Sequence, residues 1–126
     1  MYQLAAPDGS TELCTIDGIT YVNVPDGELP EQPAQITITD VVLTDTLKEA
    51  IKAASIHCQL INERMEAKIR EQYSLSDEQY FSRIASGVAL GMYTFQAGEL
   101  DALQAFGLYV ESVRQWGREQ RAALGL

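Results

Sequence analysis

Leu47, Ile51, Ala54, Cys58, Ile61 and Met65 fall at intervals of 4, 3, 4, 3 and 4. That spacing keeps a narrow apolar stripe on one side of an α-helix, where another helix must cover it. Thr46 is followed three residues later by Glu49, the spacing of a capping box, which predicts a helix start within a residue or two. The stripe runs on less cleanly to Ile69. One helix is therefore predicted from Asp45 to Gln72, about 42 Å long at 1.5 Å per residue. A helix of that length in a chain of 126 residues implies a helical hairpin, a bundle or a coiled coil.

The stretch "REQYSLSDEQYFSRIA", Arg70 to Ala85, then writes a second helix start. Ser76 is a favoured N-cap and Gln79 stands at the reciprocal box position. Asp77 and Glu78 put negative charge in the first turn, and Leu75 is spaced to reach Tyr80 as a hydrophobic staple. Tyr73 to Ser76 is predicted as a fixed short turn between antiparallel helices. The second helix, about Asp77 to Gln96, would turn Tyr80 or Phe81, Ile84, Val88 and Met92 or Phe95 inward. Gly87 and Gly91 form a small-residue notch for a neighbouring helix, and Gly98 supplies the stop. A third helix follows from Glu99 toward Leu124, with Leu103, Phe106, Val110, Val113 and Gly117 on its stripe. Trp116 lies beside that stripe among Arg114, Arg118 and Arg121, a composition suited to a cation–π core edge and to an interface.

Before Thr44 the period is two. "ELCTI" and "ITYVNV" flank Asp17-Gly18, a pair that readily takes the positive φ angles of a two-residue turn, so a hairpin is predicted over about 12–24. "PDGELPEQP" loses backbone donors at Pro25, Pro30 and Pro33 and reads as an extended linker. "AQITITDVVL" resumes the alternation with Ile36 and Ile38 and offers a third strand. The fold class predicted is α+β, mainly α: a β-rich arm over residues 1–43 and a three-helix antiparallel bundle over 44–126. A hairpin is marginal alone, so Tyr21, Val22 and Val24 are expected to dock on a partner, with Trp116, Arg114 and Arg118 as further interface candidates.

The net charge of −9 is uneven. Residues 1–45 carry eight acids and no Lys or Arg, while the remaining ten acids are nearly balanced by nine bases. An arm of that sign opposes direct contact with a nucleic-acid backbone. The start, "MYQLAAPDGS", has no basic region leading into an apolar run, and no apolar stretch reaches the length of a membrane span. Cys14 and Cys58 are too few for a disulfide framework and are expected as free thiols.

Candidate chemistry is sparse. His57 and Cys58 are adjacent, and neighbours on a helix point about 100° apart. Neither a second His nor a Cys pair at ligand spacing accompanies them, which argues against a metal or a thiolate–imidazole site. The acids Asp77, Glu78, Glu99 and Asp101 fall at helix starts, where the helix dipole accounts for them. "APDGS" and "PDGE" lack the Lys and following helix of a phosphate loop. No catalytic residue, cofactor or small-molecule substrate is therefore expected.

"KIREQYSLSDEQYFSRIA" followed by "YVESVRQWGREQRAALGL" resembles the helical C-terminal part of small proteins encoded among bacteriophage and prophage tail-fibre and baseplate genes. The resemblance covers residues 68–126 and rests on a "YSLxDE"-like corner leading to a Tyr-Val-Glu-containing last helix. It implies a structural or assembly protein in the virion tail or host cytoplasm, without catalytic residues, whose partners are other tail proteins or copies of itself. The acidic arm leaves two alternatives open. One is a phage-encoded inhibitor whose carboxylates mimic nucleic-acid phosphates on a basic protein; the other is a small ligand-binding domain using the Gly87 and Gly91 notch.

The isolated His57-Cys58 pair predicts a fold that needs no metal. Dialysed protein should carry no stoichiometric zinc, and its melting curve should be unchanged by chelator.

Overall fold

The computed structural model describes residues 11–24, 34–35 and 39–126. Two strands come first, β1 (Thr11–Ile16) and β2 (Ile19–Asn23), then four helices: α1 (Asp45–Ala54), α2 (Ile56–Gln72), α3 (Leu75–Ala89) and α4 (Glu99–Ala123). The chain is α+β and mainly α, with strands before residue 44 and helices after it. The described residues up to Ile61 and Glu119–Leu126 make one compact unit, and Asn62–Arg118 makes another.

In the first unit the hairpin forms where alternation and Asp17-Gly18 place it. Asp17 and Gly18 both take positive φ, 50° and 80°, and β1 pairs antiparallel with β2 from Ile16↔Ile19 to Thr11↔Asn23. The register slips between Glu12 and Cys14, so Leu13 bulges out of the ladder. Leu13 is buried with Ile51, Cys58 and Ile61, the start of this unit's core. The linker Pro25 to Pro33 and the predicted third-strand residues Ile36 and Ile38 lie outside the described residues; residues 39–44 form no strand.

The single long helix predicted over 45–72 is two helices. Ser55 adopts φ −72° and ψ 125°, outside the helical region. Its N–H donates to the Ile51 carbonyl at 2.8 Å, and its own carbonyl accepts from Gln59 N–H at 3.1 Å. One serine thus closes α1 and opens α2, as expected of a side chain better suited to helix ends than to interiors. The break also moves the stripe. Ala54 is exposed, and Ser55 takes the inward place at 0% exposure, so the buried series runs Ile51, Ser55, Cys58, Ile61. The first helix is capped by Thr44, whose Oγ1 accepts from Leu47 N–H at 3.2 Å, rather than by Thr46; Glu49 pairs instead with Lys52 at 3.3 Å.

In the second unit the corner is capped two residues earlier than Ser76 and Gln79 suggest. Ser74 is the N-cap of α3: its Oγ accepts from Asp77 N–H at 3.0 Å, and Asp77 Oδ2 accepts from Ser74 N–H at 2.8 Å. Asp77 is short enough to close that box, and the shift leaves Leu75 in water at 58% exposure, so no Leu75–Tyr80 staple exists. Tyr73, in the position before the cap, points inward instead. Its ring meets Phe106 edge-on at 4.9 Å and Phe81 at 6.0 Å, while Phe81 stacks on Phe106 at 4.8 Å. Tyr109 tilts against Tyr73 at 5.7 Å and donates its hydroxyl to the Lys68 carbonyl at 2.6 Å. Phe81, Ile84 and Val113 are buried in this unit.

The second helix ends at Ala89, well short of Gln96. Gly91 takes φ 71°, its N–H donates to Val88 O at 3.0 Å and Met92 N–H donates to Gly87 O at 2.8 Å, a Schellman closure. Gly91 is therefore a stop and not half of a notch. Gly87 does permit a close approach, but to the loop: a Cβ there would lie 2.8 Å from the Tyr93 Cβ.

Ile61→Asp places an uncompensated carboxylate in the core of the first unit and should cost about 3 kcal/mol or more in denaturant unfolding, whereas Glu63→Lys on the exposed face should be nearly silent. Gly107 lies inside α4 with open space where a Cβ would go. Gly107→Ala should therefore stabilise by about 1 kcal/mol, and Gly87→Ala should destabilise because Tyr93 must move. Thermal melts of the two variants shifting in the same direction would contradict this packing.

Candidate functional site

Tyr21 and Val22 sit in β2 opposite Cys14 and Glu12, and Val24 follows the strand; all three are half-buried. Adjacent strand residues face opposite sides of a hairpin, so Tyr21 and Val22 cannot form one patch on one face. Asn23, at the end of β2, is held by α4: its Nδ2 donates to the Ala123 carbonyl at 3.3 Å. Ile19 is the exposed apolar residue of this strand.

Trp116, Arg114 and Arg118 belong to the second unit, and they do not form the cluster that proximity in sequence suggests. Two positions along a helix turn a side chain about 160° away, so both arginines leave the Trp116 side of α4. Arg118 donates to Gln115 Oε1 at 3.0 Å and pairs with Glu111, while both arginines are exposed. The cation over the indole is Lys68 of α2, with Nζ 4.8 Å from the ring centroid. Trp116 is a half-buried edge of the helical packing.

His57 and Cys58 part as helical geometry requires. The His57 Nε2 lies 3.0 Å from the Glu12 carbonyl, which it reaches as a donor in the tautomer protonated there. Cys58 is buried at 1% exposure. Cys14 and Cys58 are free thiols; burial, with a smaller contribution from Cys58, pushes the Cys14 thiol above its ordinary value. Among the described residues no three His, Cys, Asp or Glu side chains gather as a metal site, and no helix is long and apolar enough to cross a membrane.

A polar cluster that the sequence reading passed over stands at the start of α4. Glu99 accepts from Tyr80 Oη, from Tyr93 Oη at 2.6 Å and from Gln96 N–H at 2.6 Å, while its own N–H donates to the Gln96 carbonyl at 3.1 Å. The Gln96–Glu99 contact is local, a turn of three residues ahead of the helix, and was available as a signal. The two tyrosines were not, because one comes from α3 and the other from the loop after it. The Tyr80 hydroxyl, then that of Tyr93 and the Gln96 amide, hold the Glu99 carboxyl below its ordinary range. In return Glu99 pushes Tyr93 up to about 12 and raises Tyr80. These shifts run away from neutrality on both sides, the reverse of what general acid–base catalysis needs.

No family model matches the chain, and neither does a curated protein or a solved structure.

The clasp gives two pH signatures of fixed sign. A tyrosine raised in the folded state contributes stability that is present below the ordinary value of 10 and is lost as pH rises from there through about 12. A lowered carboxyl contributes stability present above its ordinary 4.5, lost as pH falls through the depressed folded value. Ultraviolet titration should therefore show Tyr93 ionising near 12, and Glu99→Gln should return it toward the ordinary tyrosine range. Titration of Tyr93 near 10 in the parent protein would contradict the clasp.

Proposed function

We propose that this chain is a non-catalytic structural or assembly component of the tail-associated kind that its second half resembles, acting through protein–protein contacts in the virion tail or in the host cytoplasm. The observation that carries the reading is where large apolar side chains are left in water. Val42 is 83% exposed in the segment before α1, and Met92 is 82% exposed in the loop after α3, with Leu90 beside it. Apolar groups exposed in this way suit surfaces that are covered in an assembly. The displaced titrations among the described residues support the same reading. Arg70 is raised chiefly by Glu78, Glu99 is lowered by tyrosines, and Cys14 is raised by burial. Arg70 and Glu99 are shifted by structural partners and Cys14 by burial, and all three shifts lead away from neutrality.

The bias of eight acids against no bases in residues 1–45 favours a second reading, an inhibitor that presents carboxylates to a basic protein. The two differ in what a charge change does. Rim charges mainly alter association rate and salt dependence, whereas a mimic places its acids at the contact. A tagged chain expressed in infected or lysogenic cells should recover tail proteins, and should still do so when Glu12, Asp17 and the other acids of residues 8–31 are changed to Asn or Gln. Recovery of a basic nucleic-acid-binding protein that is lost on this neutralisation, with tail proteins absent, would overturn the structural reading in favour of the inhibitor.

A further inference from the structure

The two edges of the hairpin are treated differently. On β1 the ladder is interrupted by the Leu13 bulge, Glu12 brings a charge, and the Glu12 carbonyl is occupied by His57 at 3.0 Å. These are the devices by which an edge strand is kept from pairing. From Ile19 to Val22 β2 has none, and at its end only the side chain of Asn23 is tied, to α4. Its residues, "ITYVN", carry no charge and no proline, and among the described residues it has no strand neighbour but β1 and receives no backbone hydrogen bond from another segment.

The two-residue turn fixes which groups face out. Ile16↔Ile19 closes the turn as a hydrogen-bonded pair, so Thr15↔Thr20 is a non-bonded pair, consistent with the 2.9 Å contact between their Oγ1 atoms. The N–H and C=O of Thr20 and of Val22 therefore point away from β1. We infer that β2 pairs antiparallel with β2 of a second copy of this chain across a two-fold axis at Tyr21, giving a four-stranded sheet in a homodimer.

In that register Thr20 faces Val22 of the other copy and Val22 faces its Thr20. Both pairs exchange both backbone bonds, and the two Tyr21 residues meet at the axis as a close non-bonded pair. Charge selects the same segment. A chain of net charge −9 opposes a second copy over its acidic arm, but from Ile19 to Val24 there is no charge to set against its like. Pairing also extends a sheet that two strands alone leave marginal. The inference rests on the reading of this chain as an interaction protein and specifies one contact within it.

Light scattering on the purified full chain should give twice the 13.9 kDa of one chain. In a Cys14→Ser background, which removes the thiol opposite position 21 within the hairpin, Tyr21→Cys should form a disulfide-linked dimer under mild oxidation. Thr20→Cys should link far less, because its symmetry mate is a diagonal neighbour at roughly 7–8 Å, beyond disulfide reach. A monomeric mass overturns the inference, as it would if the sequence-predicted strand at Ile36 to Ile38 takes this edge within one chain. A dimer in which Tyr21→Cys fails to link, or links no better than Thr20→Cys, overturns it too. Recovery of tail proteins by a monomer would leave the assembly reading standing while removing this contact.

Discussion

Arg70 is the residue on which the α2–α3 corner depends. Its guanidinium meets Glu66 at 3.0 Å one turn back on α2 and Glu78 at 2.5 Å on α3, and it donates to the Tyr73 carbonyl at 3.2 Å in the turn between them. A guanidinium presents its five donors as a rigid planar fork, so it can hold these three acceptors in fixed directions. The last turn of α2, the turn itself and the first turn of α3 are thereby fixed together. The Ser74–Asp77 box then satisfies backbone donors at the new helix start.

Fixing that corner decides where Tyr73 goes. Its N–H still donates to Ile69 O at 2.9 Å, so it leaves α2 in register and its ring is carried inward onto Phe81, Phe106 and Tyr109. The opposite end of α3 is closed in another way, by Gly91 in the left-handed region, while Tyr80 within α3 and Tyr93 in the loop after it both donate to Glu99. Arg70, Asp77 and Glu99 are thus engaged in holding chain reversals. Among the described residues, Val42, Leu90 and Met92 are the most exposed apolar side chains of the segments that flank the helices.

Much of this was legible in the sequence because it is local. The Asp17-Gly18 turn, the alternation on either side of it, the stripe through Ile51, Cys58 and Ile61, and the bounds of α4 follow from spacings of two to four residues. The misses share a different cause. Ser55 breaks the first helix although nothing nearby is a Gly or Pro, and choosing Ser74 over Ser76 turns on whether Asp77 or Gln79 reaches back. Both are competitions between adjacent, nearly equal caps. Gly91 and Gly98 posed the same problem at the other end of α3, and the loop's return onto Gly87 decided it. The partners of Glu99 and of Trp116 come from separate elements, so pattern alone could not supply Tyr80, Tyr93 or Lys68. For the interface candidates, spacing placed Arg114 and Arg118 near Trp116 in sequence, whereas helical rotation separates them in space.

Backbone amide hydrogen exchange at the α2–α3 corner tests the dependence on Arg70 most directly. Ser74 and Asp77 amides, bonded to side chains rather than to a helix ladder, should exchange as slowly as the interior of α3, and Arg70→Ala should accelerate both together. If those two amides exchange at free-chain rates in the parent protein while the helices on either side stay protected, the corner is a loose joint and Arg70 does not organise the α2–α3 reversal.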